Sequence, residues 1–148
     1  MSRSFIMLVD DENLFVETLS KRLEKRDFEV LQALSGAECL EKLKANETIE
    51  VIVLDVKMPG MGGIETLMEI KKVFPLIEVI MLTGHATIES AIEGMKRGAF
   101  DFLMKPCDID ELTSKIKDAS DKKRQQEEKI KDAVKRETLA KYGSFYYA

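Results

Sequence analysis

Residues 51–67 read VIVLDVKMPGMGGIETL: an aliphatic run, a single aspartate, a glycine-rich loop and the first turns of a helix. The β-branched and aliphatic run Val51 to Leu54 is typical of a strand that is buried on both faces of a sheet. One proline and three glycines over 58–63 indicate a turn-rich loop. Apolar residues then recur at helical spacing from Ile64 onwards. This stretch therefore predicts a strand, a loop and a helix, which is the repeating unit of a parallel sheet.

The same unit recurs along the chain. Apolar runs predict five strands, over 5–9, 28–33, 51–54, 79–82 and 100–104. Helical patterns alternate with them, over 13–26, 35–45, 64–74, 87–97 and from Asp108 onwards. Strict alternation predicts an α/β fold in which helices cover both faces of a parallel sheet. Right-handed crossovers leave few topologies, and the flavodoxin-like, doubly wound strand order 2-1-3-4-5 fits them.

Polar side chains stand at the carboxyl ends of four predicted strands. Asp10 and Asp11 follow the first strand, Asp55 the third, Thr83 the fourth and Lys105 the fifth. In such sheets, ligands bind beyond the carboxyl ends of strands near the switch point, here between the first and third strands. We therefore expect three carboxylates, a hydroxyl and an ammonium to meet at one rim of the sheet.

These groups suit phosphoryl transfer to a carboxylate. A carboxylate oxygen can attack phosphorus to give an aspartyl phosphate, provided that charge on the transferring group is neutralised. Mg²⁺ does this with oxygen ligands. We predict a magnesium site made of three carboxylates and one main-chain carbonyl, those of Asp10, Asp11, Asp55 and Lys57. Lys105, a point charge, and Thr83, a neutral donor, would each contact a phosphoryl oxygen.

Each of these features also has an ordinary explanation when it is taken alone. An Asp-Asp pair after a strand is commonly a helix N-cap. Threonine is common at strand ends, and Lys-Pro is usually only part of a turn. The joint occurrence of all of them, each at a predicted strand end, favours a functional site over coincidence.

Four segments resemble the signature motifs of response-regulator receiver domains: VDDE at 9–12, VLDVKMPGMGG at 53–63, MLTG at 81–84 and GAFDFLMKP at 98–106. The resemblance runs from about Phe5 to Ala119 in the family's order and spacing. It implies that Asp55 accepts a phosphoryl group from a sensor histidine kinase or a phosphotransfer protein, with Mg²⁺ as cofactor. It also implies a signalling protein that is no enzyme beyond catalysing its own phosphorylation and dephosphorylation.

The resemblance assigns switch roles to Thr83 and Phe102. Many receivers have tyrosine where this chain has Phe102. A phenyl ring has no hydroxyl, so an inward movement of the Phe102 ring would depend on packing alone. The resemblance further implies a cis peptide bond between Lys105 and Pro106. The switched surface would comprise the fourth helix, the fifth strand and the fifth helix, and would control a partner, a homodimer or an output domain. His85 near the rim is either an ordinary loop histidine or a minor influence on phosphate lifetime.

We expect residues 1–120 to form the receiver domain and 121–148 a helical extension or linker. Acid-first i,i+4 pairs predict that the last helix continues to about Lys141. Its apolar seam is patchy, so two interpretations stay open. The extension is either a solvated helix, or a signalling helix that dimerises or leads to an output domain such as a sigma-54 activator ATPase module. The aromatic segment 145–147 would then dock on a partner or on a second copy.

Composition narrows the classes of protein to which the chain can belong. The 148 residues, 45% of them hydrophobic, fit one compact domain with a modest extra segment. A net charge of −4 gives no reason to expect direct nucleic-acid binding. No apolar run approaches the roughly 20 residues of a membrane span, and no secretory signal is visible, so we expect a cytoplasmic protein that does not bind membranes. Cys39 and Cys107 fit free thiols.

Three other classes fit less well. A haloacid-dehalogenase-type phosphatase needs a second aspartate two residues after its nucleophile, where this chain has Lys57. A pseudo-receiver, which binds partners without phosphorylation, would not need all five residue types of the site. A flavin-binding flavodoxin would want a hydroxyl-rich loop after the first strand, where this chain has Asp10-Asp11-Glu12.

Overall fold

The computed structural model of the chain describes residues 3–85 and 87–147, with side chains as far as Gly143. Its strands are β1 Ser4–Val9, β2 Phe28–Ala33, β3 Val51–Leu54, β4 Glu78–Thr83 and β5 Asp101–Met104. Its helices are α1 Asn13–Glu24, α2 Gly36–Ala45, α3 Gly63–Val73, α4 Ile88–Lys96 and α5 Ile109–Tyr147. The strands pair in parallel in the order β2-β1-β3-β4-β5, which confirms the predicted flavodoxin-like fold.

The central strands of the sheet are buried on both faces, and their successive side chains enter different cores. In β1, Ile6 and Leu8 join one core with residues of α1 and α5, whereas Met7 and Val9 join the other with residues of α2 and α3. Side chains alternate between the two faces of a strand, so a strand covered on both sides must be apolar at every position. This requirement explains the unbroken aliphatic run of β3.

The predicted element bounds agree with the structure to within two residues, except at the end of the last helix. Thr87, predicted as the first residue of the fourth helix, is its N-cap, and its hydroxyl accepts a hydrogen bond from the Ser90 amide. Gly98 ends the same helix with a φ of 101°, as expected for a glycine at that position. Gly94 is the single residue of α4 that is buried.

The last helix is longer than expected. α5 continues through Gly143 to Tyr147, so the predicted end near Lys141 was wrong. A single glycine costs a helix only about 1 kcal/mol relative to alanine, too little to stop it. The docking proposed for aromatic side chains 145–147 lies outside the described residues. Within residues 3–85 and 87–147, no helix is long and apolar enough to cross a membrane.

Candidate functional site

Three carboxylates lie together at the carboxyl end of the sheet. Asp10 follows β1 and Asp55 follows β3, and because these strands are hydrogen-bonded neighbours the two side chains share one rim. Each has only 3% of its surface exposed, whereas Asp11 is exposed. One ligand oxygen from each of the three lies within 4.8 Å of the others. A cluster of hard oxygen donors of this kind suits a divalent cation such as Mg²⁺.

The backbone around Asp55 is fixed by the start of α3. The Val56 amide donates to Asp55 Oδ1 at 2.9 Å, and the Gly63 amide donates to the Val56 carbonyl at 2.7 Å. A Cβ atom on Gly63 would lie 2.0 Å from the Asp55 carbonyl oxygen and 2.7 Å from Val56 Cα. Only glycine therefore lets α3 begin against the backbone of Asp55. The sequence indicated a turn here, but not that contact.

The environment of Asp55 opposes its ionisation. Burial raises the pKa of the Asp55 carboxyl above its ordinary value, and the neighbouring Asp10 carboxylate raises it further. A hydrogen bond from the Thr83 hydroxyl, the charge of Lys105 and the Val56 amide act in the opposite direction. Burial prevails, so the pKa of Asp55 stays above its ordinary value.

Lys105 brings a positive charge into direct contact with the cluster. The Lys105–Pro106 peptide bond is cis, and the Lys105 amide donates to the Thr83 carbonyl at 2.9 Å. The ammonium lies 2.5 Å from Asp10 Oδ2 and 3.8 Å from Glu12 Oε1. It also stands 3.9 Å from the centroid of the Phe15 ring, a cation–π contact. The four-residue spacing of Phe15, Leu19 and Leu23 places Phe15 on the apolar stripe of α1, and no local pattern points to this contact.

Thr83 ends β4 and is fully buried. Its hydroxyl accepts a hydrogen bond of 3.0 Å from the His85 amide and, as a donor, lowers the pKa of Asp55. The main chain of His85 thus orients the hydroxyl towards the cluster. A shallow cleft opens beside it, lined by Asp11, Glu12, Asp55, Lys57, Met58, Pro59 and His85.

Phe102 lies one strand away from Thr83. Its ring is partly buried against the core that contains Met81, and Met81 is also its register partner in β4. A Cβ atom on Gly94 would lie 3.5 Å from the Phe102 ring, so the ring packs beneath α4 where that helix has no side chain. Phe102 therefore contacts the one buried position of α4.

Comparison with known proteins gives matches along most of the chain. The profile of the family described as response regulator receiver domain matches residues 6–117. The DNA-binding transcriptional regulator NtrC of Escherichia coli K12 is 36% identical over 119 residues, which is 80% of this chain and 25% of that protein. The transcriptional regulatory protein GlrR of the same strain is 39% identical over 114 residues, or 77% of this chain and 26% of that protein. The chain thus spans about a quarter of the length of these curated relatives.

A solved structure agrees with these matches. The response regulator receiver domain protein from Clostridium thermocellum superposes with a TM-score of 0.80 at 38% identity. The superposition covers 83% of this chain and 98% of that protein.

Proposed function

The chain belongs to the response regulator receiver domain family, and from that premise we propose that Asp55 accepts a phosphoryl group in a Mg²⁺-dependent reaction. The observation that carries the proposal is the carboxylate cluster, in which Asp10 and Asp55 are both buried and share one rim with Asp11. Burying several carboxylates together is unfavourable unless a cation joins them. The cluster suits a reaction that begins with the binding of a divalent cation.

The donor set fits magnesium, because every ligand that the cluster offers is an oxygen. Asp10, Asp11 and Asp55 would hold the ion, with the main-chain carbonyl of Lys57 as a further ligand. When bound, the ion supplies charge neutralisation for the phosphoryl group. Asp55 then becomes the nucleophile.

The nucleophilic atom is assigned from the hydrogen bonds of Asp55. The Val56 amide holds Oδ1, so we expect Oδ2 to attack. In the transfer, the oxygen–phosphorus bond to Asp55 forms while the nitrogen–phosphorus bond of a phosphohistidine donor breaks, and the departing imidazole nitrogen keeps the electron pair. Lys105 and Thr83 would each contact a phosphoryl oxygen, Lys105 as a charge and Thr83 as a donor.

Phosphorylation would be read out through Thr83 and Phe102. As Thr83 turns towards the phosphoryl oxygens, the Phe102 ring beneath α4 would adjust, which biases the surface of α4, β5 and α5 between two states. This step predicts that Thr83→Ser retains phosphorylation-dependent changes in α4, whereas Thr83→Ala loses them. NMR shifts of the α4 amides, with and without beryllofluoride, distinguish the outcomes, and identical shift changes in Thr83→Ala would refute the role of the hydroxyl.

We further propose that residues 1–120 act as the receiver and that 121–148 connect it to an output partner in the cytoplasm. The curated relatives are transcriptional regulators by name and about four times as long as the matched segment. By analogy, the phosphodonor is a sensor histidine kinase or phosphotransfer protein, and the output is a further domain or a second copy of the chain.

The decisive experiment is phosphorylation by a small donor. The purified chain is incubated with Mg²⁺ and acetyl phosphate and its intact mass is measured. We expect one phosphoryl adduct, lost in Asp55→Asn and in EDTA, and retained in the matched control Asp132→Asn, whose carboxyl lies in the wholly exposed part of α5. An adduct that persists in Asp55→Asn would overturn the assignment, and the absence of an adduct in the unmodified chain would favour a pseudo-receiver.

A further inference from the structure

Two buried acids lie at the end of the sheet opposite to Asp55. Glu50 immediately precedes β3 and Glu78 begins β4, and the Glu78 amide donates to the Glu50 carbonyl at 3.1 Å. Glu50 is 8% exposed and Glu78 only 2%. Carboxylates buried this deeply at the end of a sheet require cationic partners.

α5 supplies partners for both acids within three consecutive residues. Arg124 donates two hydrogen bonds to the Glu50 carboxylate, from Nε to Oε2 at 2.5 Å and from Nη2 to Oε1 at 2.9 Å. The Lys122 ammonium lies 3.2 Å from Glu78 Oε2, and Lys71 of α3 holds Oε1 at the same distance. A forked guanidinium–carboxylate pair is the more directional of these contacts. Together, the contacts join α5 to the starts of two neighbouring strands.

These ion pairs lie where α5 leaves the domain. Ile116, Ala119 and Ser120 are buried against the sheet, whereas residues 128–142 are all exposed. Lys123 lies between Lys122 and Arg124 in the sequence. It is buried, and it forms an ion pair with Glu127 one turn further on. From sequence spacing, the expected partner of Lys122 is Asp118 on the same helix, but the ammonium lies against Glu78 on the sheet.

We propose that Glu50 and Glu78 are positioning residues that latch the emerging part of α5 to the base of the sheet and so set the direction in which the extension leaves the domain. Beyond the latch, about 20 residues form an arm roughly 30 Å long. A helix of that length without tertiary packing is marginal in water and frays from its ends. The contacts of Lys122 and Arg124 fix the last turn of α5 that packs on the sheet, and the arm continues from that turn. The proposal concerns the unphosphorylated chain and does not depend on chemistry at Asp55.

Hydrogen exchange tests the latch directly. The variant Lys122→Gln/Arg124→Gln removes both cations from the helix surface and leaves the strand starts unchanged. We expect amides of residues 121–127 to exchange roughly tenfold faster, as hydrogen bonds to charged groups are lost, while Leu112 to Ala119 stay protected. Glu50→Gln should produce a similar local effect, and Glu17→Gln, the same change at an exposed position on α1, should produce none.

A distance measurement tests the direction of the arm. Nitroxides are placed at two exposed positions, Glu41→Cys on α2 and Lys135→Cys on the arm, in a Cys107→Ser background that leaves only the buried Cys39. The labelled chain is diluted with unlabelled chain so that only distances within one molecule are recorded. We expect one narrow distance distribution, which becomes broad in Lys122→Gln/Arg124→Gln. Unchanged exchange over 121–127 or an equally narrow distribution in this variant would overturn the latch.

Discussion

The Lys105 ammonium contacts Asp10, with 2.5 Å between Nζ and Oδ2, although Asp55 is the residue whose ionisation the surroundings oppose. Asp10 is also a member of the carboxylate cluster that we assign to Mg²⁺. A bound metal ion would therefore share this carboxylate with the lysine, and the two positive charges would repel each other. Loading the cluster with a cation should weaken the Lys105–Asp10 pair and release the ammonium for a phosphoryl oxygen.

This relationship predicts that Lys105→Met binds Mg²⁺ more tightly than the unmodified chain. Removing the lysine frees Asp10 and abolishes a repulsion between charges a few ångströms apart, which we expect to lower the dissociation constant roughly fivefold at low salt. Calorimetric titration with MgCl₂ measures the change. The control is Lys115→Met, which removes the same charge from the Lys115–Asp101 pair on β5 and α5, away from the cluster. Equal or weaker binding by Lys105→Met would contradict the shared-carboxylate explanation.

The raised pKa of Asp55 predicts a pH-dependent stability. Because burial raises its pKa in the folded chain, Asp55 binds its proton more tightly when folded than when unfolded. Stability therefore falls as pH rises from the ordinary carboxyl pKa of 3.8 through the folded value, and the loss is complete above it. Asp55→Asn does not lose stability in this way, because asparagine has no carboxyl group to ionise. In EDTA at neutral pH it should be more stable by on the order of 1 kcal/mol, with the gain vanishing below the ordinary carboxyl pKa.

Urea denaturation from below pH 3.8 to neutral pH measures the difference in stability between Asp55→Asn and the unmodified chain. Asp132→Asn, which removes an exposed carboxyl from the middle of α5, serves as the matched control and should follow the unmodified chain at every pH. Added Mg²⁺ should stabilise the unmodified chain more than Asp55→Asn, because the ion relieves the same unfavourable charge. A constant difference between Asp55→Asn and the unmodified chain at all pH values would show that the ionisation of Asp55 is not its cause.

The contact between Gly63 and the Asp55 backbone predicts a severe effect of one methyl group. In Gly63→Ala, the new Cβ would lie 2.0 Å from the Asp55 carbonyl oxygen, so α3 or the loop before it must move. We expect a loss of roughly 2–4 kcal/mol in unfolding free energy. Gly84→Ala, at a position where an added Cβ meets nothing within 4 Å, should change stability by only about 0.5 kcal/mol. Thermal unfolding of the two variants compares them, and similar melting temperatures would refute the collision.

The fold was predictable because its information is local. Unbroken aliphatic runs such as Val51 to Leu54 mark doubly covered strands, and strand ends in a parallel sheet must share a rim, which brings Asp10 close to Asp55. The partners of Lys105 and Glu50 were not predictable. The Glu50–Arg124 pair joins residues 74 positions apart, and its geometry depends on the packing of a whole helix. The end of α5 was not predictable from helix propensity, because propensity favours an end at Gly143, whereas the helix tolerates this single glycine.

Gly94 gives a final prediction, about the stability of α4. This helix buries only Gly94, while Ile88 is 81% exposed, so few apolar contacts hold the helix to the domain. In Gly94→Ala, the added Cβ would lie 3.5–3.7 Å from Phe102, Ile64 and Met81, which is ordinary packing contact. Alanine also favours a helix interior by about 1 kcal/mol over glycine. We therefore expect the α4 amides to exchange about fivefold more slowly in Gly94→Ala.

The control for Gly94→Ala is Gly143→Ala, which makes the same change inside α5 where an added Cβ meets nothing within 4 Å. It should slow exchange only near its own end of α5 and leave α4 unaffected. Because the new methyl group also touches the Phe102 ring, Gly94→Ala should reduce the shift changes that beryllofluoride causes in α4, which Gly143→Ala should not. Faster exchange of α4 in Gly94→Ala would instead mean that the Phe102 ring needs the space that glycine leaves, and that α4 is held by this ring rather than by its own helical propensity.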